Sequence, residues 1–269
     1  MLKASLCALI IFTASYSAAH DLMVLPAKSI VTKAPDKVAV DVTATHGVYR
    51  FDKPVTPNNI SVYGPDGEKI RNIGTIIKSA TRTSFDLAVD SDGTYKILYS
   101  YPESSYATTY TIGARNTKKR ERLSKSQLEG VIPNDAKNIE TVKSTRYAMS
   151  FVTAKTPTFE PLEPTNTGFE VIPVTHPADY VNGEEIAFKA LINGNSIAGV
   201  TVEIRAEAGI YNSDLETLSL ATDQEGIASL TMENAGRYEA VFSYESDSQD
   251  PEADKEKFVV FYTFEVVHE

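Results

Sequence analysis

The chain has 269 residues, a length that suits one large domain or two small ones. Its 36 acidic residues outnumber 26 lysines and arginines, and the resulting net charge of -10 disfavours binding to the phosphate backbone of nucleic acids. Apolar residues make up 42% of the chain and charged residues 23%, a balance that excludes an intrinsically disordered protein. We also expect like-charge repulsion to keep the protein monomeric.

The first 19 residues have the layout of a secretory signal peptide. Lys3 gives a positive start, Leu6–Phe12 forms a short apolar run, and Ser17–Ala19 supplies the small residues of a cleavage site. The apolar run is shorter than the roughly 20 residues that a lasting membrane span needs, and no later stretch reaches that length. We therefore expect export to the periplasm, a mature chain without a membrane span, and His20 as the new N-terminal residue.

From Val38 onward, apolar and polar residues alternate with the period of two that is typical of β-strands. The clearest runs are Val38–Val42, Phe85–Val89, Tyr95–Tyr99, Val200–Ile204, Tyr238–Tyr244 and Phe258–Val266. Turn sequences such as Pro65-Asp66-Gly67 and Asn193-Gly194 separate them at short intervals. This pattern predicts an all-β protein built from antiparallel β-sandwiches of the immunoglobulin-like or transthyretin-like kind.

Two segments interrupt the alternation and divide the chain. Residues 124–143 lack it and carry Pro133, so we expect one short helical insertion before a strand at 147–153. Residues 156–167 hold Pro157, Pro161 and Pro164, a composition that is typical of an extended, semi-rigid linker. The predicted organisation is a signal peptide (1–19), an N-terminal sandwich (20–155), this linker (156–167) and a C-terminal sandwich (168–269).

A short internal echo favours two similar modules. Gly93-Thr94-Tyr95 opens one alternating run, and Gly236-Arg237-Tyr238 opens another at the corresponding place in the second half. Each follows a polar or acidic turn. The alternative is that a Gly-x-Tyr sequence before a strand is simply common.

Catalytic motifs are absent from the sequence. The single cysteine, Cys7, leaves with the signal peptide, and there is no GxSxG, HExxH, Walker or GxGxxG pattern. Hydrolase, zinc-protease and nucleotide-dependent activities therefore have no support, and we expect a protein that is not an enzyme.

The strongest chemical signal is the histidine that cleavage would place first. The α-amine and the ring Nδ1 of His20 form a six-membered chelate around one metal, and a second imidazole completes a three-nitrogen histidine brace. Such nitrogen ligands suit copper, nickel and zinc. We expect the second ring to be His46, just past the strand that ends near Ala44, with Asp21, Asp52 or Tyr49 as a weak oxygen ligand or a hydrogen-bond partner.

The remaining histidines fit other roles. His176, which precedes Pro177, is interpreted as a structural loop residue, and His268 as a solvated one. The alternative for His20 itself is an accidental N-terminal histidine, with His46 as an ordinary loop residue.

Several motifs occur in an order that resembles the DUF4198 family of exported proteins, which are often labelled NikM-like. The start His20–Pro26 resembles its "AHDxWxxP", and Arg146–Pro157 its "RYAxxyvtxgxP". In the second half Phe169–Pro177, Gly183–Val202 and the pair "TDxxG…aGxY" (Thr222–Gly226 and Ala235–Tyr238) are similar to family patterns. There are two departures: Met23 replaces the usual aromatic residue, and His176 stands where the family has asparagine.

The resemblance implies two β-sandwich domains, export, and a mature His-Asp start with a later His-Gly, here His20-Asp21 and His46-Gly47. It also carries a nickel or cobalt uptake label. The first hypothesis is therefore a periplasmic accessory protein that binds nickel, cobalt or copper and serves an inner- or outer-membrane metal transporter. A copper carrier with a histidine brace and a non-metal binding or adhesive sandwich remain as alternatives.

Overall fold

The structure is a computed structural model that describes residues 20–101, 103–212 and 217–268. The predicted signal peptide therefore lies outside the described residues. The strands are β1 (Asp21–Pro26), β2 (Ile30–Val31), β3 (Asp36–Thr45), β4 (Lys53–Pro54), β5 (Ile60–Tyr63), β6 (Ile76–Lys78), β7 (Thr83–Val89), β8 (Gly93–Ser100), β9 (Ser105–Ile112), β10 (Thr117–Glu121), β11 (Lys137–Ala154), β12 (Phe169–Pro173), β13 (Glu185–Ile192), β14 (Asn195–Ser196), β15 (Thr201–Ala206), β16 (Leu218–Ala221), β17 (Ile227–Thr231), β18 (Gly236–Asp247) and β19 (Lys255–Val266).

Helical structure in the described part of the chain is limited to single 3-10 turns, so the prediction of an all-β, mainly antiparallel fold is confirmed. The turns are Pro57–Asn59, Lys125–Gln127, Glu160–Leu162, Pro177–Asp179 and Glu207–Ile210. None of them is long enough to carry an apolar span across a bilayer.

The strands form three sheets that stack as layers. One outer sheet has five strands (β1, β3, β4, β6 and β7), and the other has four (β12, β13, β14 and β17). Between them lies a ten-stranded sheet, called here the central sheet, with the order β10-β9-β11-β19-β18-β15-β16 and with β8, β5 and β2 attached through β11.

Each face of the central sheet carries a hydrophobic core. On β19, Phe261 faces the first core, under the five-stranded sheet, while Tyr262 faces the second core, under the four-stranded sheet. The same alternation holds on β18, where Val241 and Phe242 point to opposite cores. Because side chains of a strand alternate between faces, these central strands must be apolar on both sides.

The central sheet joins the two halves of the chain. Strand β11 of the first half pairs in parallel with β19 of the second, from Val142 opposite Lys255 to Met149 opposite Tyr262. The predicted linker is also packed down: Leu162 is buried in the second core, and Thr158 exchanges hydrogen bonds with Thr94. The two halves of the chain therefore share one sheet, which differs from the expectation of two separate sandwiches joined by a linker.

The segment predicted as a helical insertion is mostly turn and strand. Its helical part is the single turn Lys125–Gln127, which begins where the Ser124 backbone N–H donates to the Gln127 side chain at 3.0 Å. By Lys137 the chain has entered β11. Polar residues without periodicity accordingly mark a loop with one helical turn.

The internal echo corresponds to a shared local structure. Tyr95 on β8 and Tyr238 on β18 each lie two residues into a strand of the central sheet. Each hydroxyl donates to the backbone carbonyl four residues upstream, Tyr95 to Ser91 at 3.1 Å and Tyr238 to Asn234 at 2.7 Å. This contact resembles the tyrosine corner of immunoglobulin-like sandwiches and fixes how the chain enters the strand.

Candidate metal centre

Two histidines meet at one edge of the five-stranded sheet. Strands β1 and β3 are antiparallel, and Asp21 lies opposite Thr45. His20 and His46 are the next residues outward on each strand, so the register brings them together. Their ring centroids lie 3.8 Å apart, with the planes inclined at 53°. The predicted pairing of His20 with His46 in space is therefore present.

A carboxylate orients the ring of His46. Asp52 Oδ2 lies 3.2 Å from the Nδ1 atom of His46 and accepts the backbone N–H of His46 at 2.7 Å. That backbone hydrogen bond is the main reason why the pKa of Asp52 is lowered, which keeps the carboxylate charged. A carboxylate on Nδ1 holds that nitrogen as the donor and leaves Nε2 as the nitrogen with a lone pair. The ring itself is 55% exposed.

The ring of His20 has one buried nitrogen that makes no hydrogen bond within the described residues. This atom is Nε2, whereas the nitrogen that closes a chelate with the α-amine is Nδ1. Burial lowers the pKa of His20, and the neighbouring His46 lowers it further. A neutral imidazole is the form that binds a metal, so the environment favours the ligand state over the charged state.

The backbone of His20 is held by a residue from a distant strand. Arg146 on β11 donates from Nη1 to the His20 carbonyl oxygen at 3.0 Å. Arg146 is the contact that sequence reasoning missed, because the residue stood out only as part of a family-like motif. No periodic pattern relates a residue of β11 to one at the start of β1.

Asp21 and Tyr49 are occupied elsewhere. The Asp21 carboxylate forms an ion pair with Arg205 at 2.9 Å. The Tyr49 hydroxyl is buried and donates to the Tyr238 carbonyl oxygen at 2.8 Å. Of the three oxygen-bearing side chains that the sequence suggested, Asp52 is the one in contact with an imidazole of the pair.

His176 lies far along the chain in a structural role. It is 3% exposed, its Nδ1 atom accepts the Ala178 N–H at 3.0 Å, and its Nε2 atom lies 3.0 Å from the Thr94 hydroxyl. These contacts cap the turn Pro177–Asp179 against the central sheet, as the interpretation of a loop histidine requires. His268 is exposed.

The donor set of the edge fits a nitrogen-preferring metal. Across the described ranges, no group of three or more histidine, cysteine or carboxylate side chains is arranged around a common point. The pair His20 and His46 supplies two imidazoles, and a third nitrogen has to come from the α-amine of a processed His20. Two imidazoles and an amine suit copper or nickel better than magnesium or calcium, which prefer oxygen.

Comparisons with known proteins describe the chain as follows. The family model "Domain of unknown function (DUF4198)" matches residues 17–246. No curated protein matches. Among solved structures, the D0-D1 domain of intimin aligns at 12% identity over 92% of this chain and 97% of that one, with a TM-score of 0.24. The human OSCAR ligand-binding domain aligns at 10% identity over 89% and 97%, with a TM-score of 0.19.

Proposed function

The chain belongs to the DUF4198 family, and we propose that it binds a divalent transition metal at the edge formed by His20 and His46. Signal cleavage after Ala19 frees the α-amine of His20, which then joins its own ring and that of His46 as a third nitrogen ligand. The protein acts in the periplasm as an accessory to a membrane metal transporter. Metal delivery requires no catalytic group, and the sequence contains no catalytic motif that would suggest one.

One observation carries this proposal. The register of β1 and β3 brings the two imidazoles into contact at 3.8 Å, at the residue whose α-amine signal cleavage would free. The Asp52 contact adds the carboxylate that commonly supports a metal-binding histidine.

The choice of metal follows from ligand chemistry. Nickel and cobalt are the ions that the family resemblance implies. A site of nitrogen ligands binds copper at least as tightly as nickel according to the Irving–Williams order, so a copper carrier is the second candidate function. An adhesive or binding sandwich without a metal is the third, and it leads if the histidine pair has no affinity for any of these ions.

A comparison of histidine variants tests the assignment of the site. Replacing His46 by alanine in the processed protein is expected to weaken Ni(II) or Cu(II) binding at least tenfold, about 1.4 kcal/mol, because one of three nitrogen ligands is lost. Replacing His176 is expected to lower stability, since its ring caps a buried turn, and to leave metal affinity unchanged. Isothermal titration calorimetry measures the metal affinity of both variants, and thermal unfolding measures their stability.

The exposed His268 offers a matched control, since His268→Ala removes an imidazole without touching the edge or the core. Loss of metal binding in His176→Ala alone, with binding by His46→Ala unaffected, would show that His46 is the wrong assignment for the second ring. Equal loss in all three variants would point to nonspecific binding by surface imidazoles.

A further inference from the structure

A pocket lies on the face of the central sheet that carries the second core. Its floor is formed by Lys96 and Leu98 of β8 with Tyr147 of β11, and its wall is the chain from Glu160 to Ile172. It has a cavity volume of about 320 Å³ and opens to solvent. That volume falls in the range of small-molecule sites, roughly 300–1,000 Å³. We call it the Lys96 cleft.

Lys96 lies between two aromatic residues of the neighbouring strands. In the register of the central sheet it lies between Tyr63 of β5 and Phe151 of β11, and Phe151 is buried in the second core. The side chain is half-buried, and burial lowers its pKa. A half-buried lysine destabilises the fold unless its ammonium is paired with a charge or a hydrogen-bond acceptor.

The ammonium of Lys96 forms no hydrogen bond or ion pair with any residue that the structure describes. The hydroxyl of Tyr147, which also lines the cleft, accepts the Val171 N–H at 3.2 Å and keeps its own proton to donate. The floor of the cleft therefore presents a cation and a hydroxyl donor, and both call for an acceptor with negative charge.

The carboxylates that line the cleft are either hydrogen-bonded within the protein or exposed at the mouth of the cleft. Both carboxylate oxygens of Glu170 accept hydrogen bonds, from Thr165 at 2.9 and 2.8 Å and from Thr167 at 3.3 Å. Glu170 acts on Lys96 through its charge but lies beyond ion-pair distance. Glu160 and Glu163 are exposed at the wall, where their charge repels a doubly charged anion more strongly than a singly charged one.

We propose that the Lys96 cleft binds a singly charged carboxylate with an apolar or aromatic body. The carboxylate accepts from the Lys96 ammonium and the Tyr147 hydroxyl, and the body packs against Leu98, Phe169 and Tyr63. The acids at the mouth select against phosphate and dicarboxylates. The carboxylate belongs either to a free organic acid or to the C-terminus of a peptide.

The test titrates small probes into the isotope-labelled full chain and follows backbone resonances by NMR. We expect 3-phenylpropionate, representing a free acid, or N-acetyl-Gly-Phe, representing a peptide C-terminus, to shift the resonances of Tyr63, Lys96 and Tyr147. Whichever of the two binds more tightly identifies the source. The amine 3-phenylpropylamine and inorganic phosphate are expected to bind at least tenfold more weakly.

Variants at the floor separate recognition from folding. Lys96→Met keeps an apolar stem of similar length, so it is expected to fold with equal or higher thermal stability and to lose at least tenfold in affinity for the acid. Lys96→Arg keeps the charge and is expected to restore most of that affinity. Lys78→Met, on an exposed lysine of β6, is the matched control and is expected to bind as the native protein does.

Two results would overturn the proposal. One is the same affinity for the acid in Lys96→Met as in the native chain. The other is the absence of any shift at the cleft with both acids, each raised well into the millimolar range. Neither result bears on the histidine edge, because metal binding is measured separately.

Discussion

Replacing Phe261 by alanine is expected to lower the free energy of unfolding by about 3–5 kcal/mol. Its side chain is 2% exposed and packs in the first core from the central sheet, so truncation leaves a cavity that rigid neighbours on β11 and β18 cannot fill. Since β19 also forms a wall of the second core, unfolding is expected to remain a single transition. Denaturant titration followed by circular dichroism measures the free energy and the number of transitions.

Phe188 on β13 provides the companion variant, because it is fully buried in the second core. Phe188→Ala is expected to shift the same single transition by a similar amount. Phe159, 61% exposed, is the control, and Phe159→Ala is expected to change the free energy by less than about 1 kcal/mol. Two separate transitions, with Phe261→Ala moving one and Phe188→Ala the other, would show that the sandwiches fold independently.

Replacing Glu239 by glutamine is expected to stabilise the protein at high pH. Glu239 on β18 is completely buried, and neither carboxylate oxygen has a hydrogen-bond partner in the part of the chain that the structure describes. Arg205 lies 3.7 Å away, but its guanidinium is shared with Asp21 and Glu203. Burial, helped by the charge of Asp21, raises the pKa of Glu239 to about 8 from an ordinary value of 4.5.

The sign of the pH dependence follows from proton linkage. Between pH 4.5 and 8 the folded state holds a proton on Glu239 that the unfolded chain has released, so native stability falls as pH rises through this window. The limiting slope is about 1.4 kcal/mol per pH unit. Glu239→Gln removes the titration, and we expect it to match the native protein near pH 4.5 and to exceed it by about 2–4 kcal/mol near pH 8.5.

Glu245, exposed on the same strand, is the matched control, since Glu245→Gln changes the net charge equally without relieving a buried group. Urea titrations of the three proteins at both pH values provide the comparison. A Glu239→Gln protein whose advantage shrinks as pH rises would mean that Glu239 is charged and well paired in the native state.

Alternation was enough to predict the strands and one buried face of each. The predicted face of the last strand, Phe258, Val260 and Tyr262 onward, is the face that packs in the second core. The pair His20 and His46 could be predicted for a similar reason, because both flank strands that a short connection brings together.

The shared central sheet could not be predicted in the same way. Parallel pairing of β11 with β19 joins residues far apart in the chain, and no turn sequence fixes such a register. The sequence does contain one sign of a strand buried on both faces. Val259 and Phe261 fill the positions between the alternating residues, and a run that is apolar on both faces is typical of a buried strand. The Arg146 contact with His20 and the unpartnered Lys96 depend on the same long-range pairing.

The most direct test of the metal proposal compares two forms of the N-terminus. The α-amine, with a free pKa of about 7.7–8.0, binds a metal only when it is unprotonated and free. Calorimetry with Cu(II) and Ni(II) should be performed on the processed protein starting at His20 and on a form with one methionine before it, where that amine becomes an amide. We predict at least tenfold weaker binding by the extended form, about 1.4 kcal/mol, with an unchanged fold. Equal affinities of the two forms would contradict the role of the His20 amine and favour the sandwich without a metal.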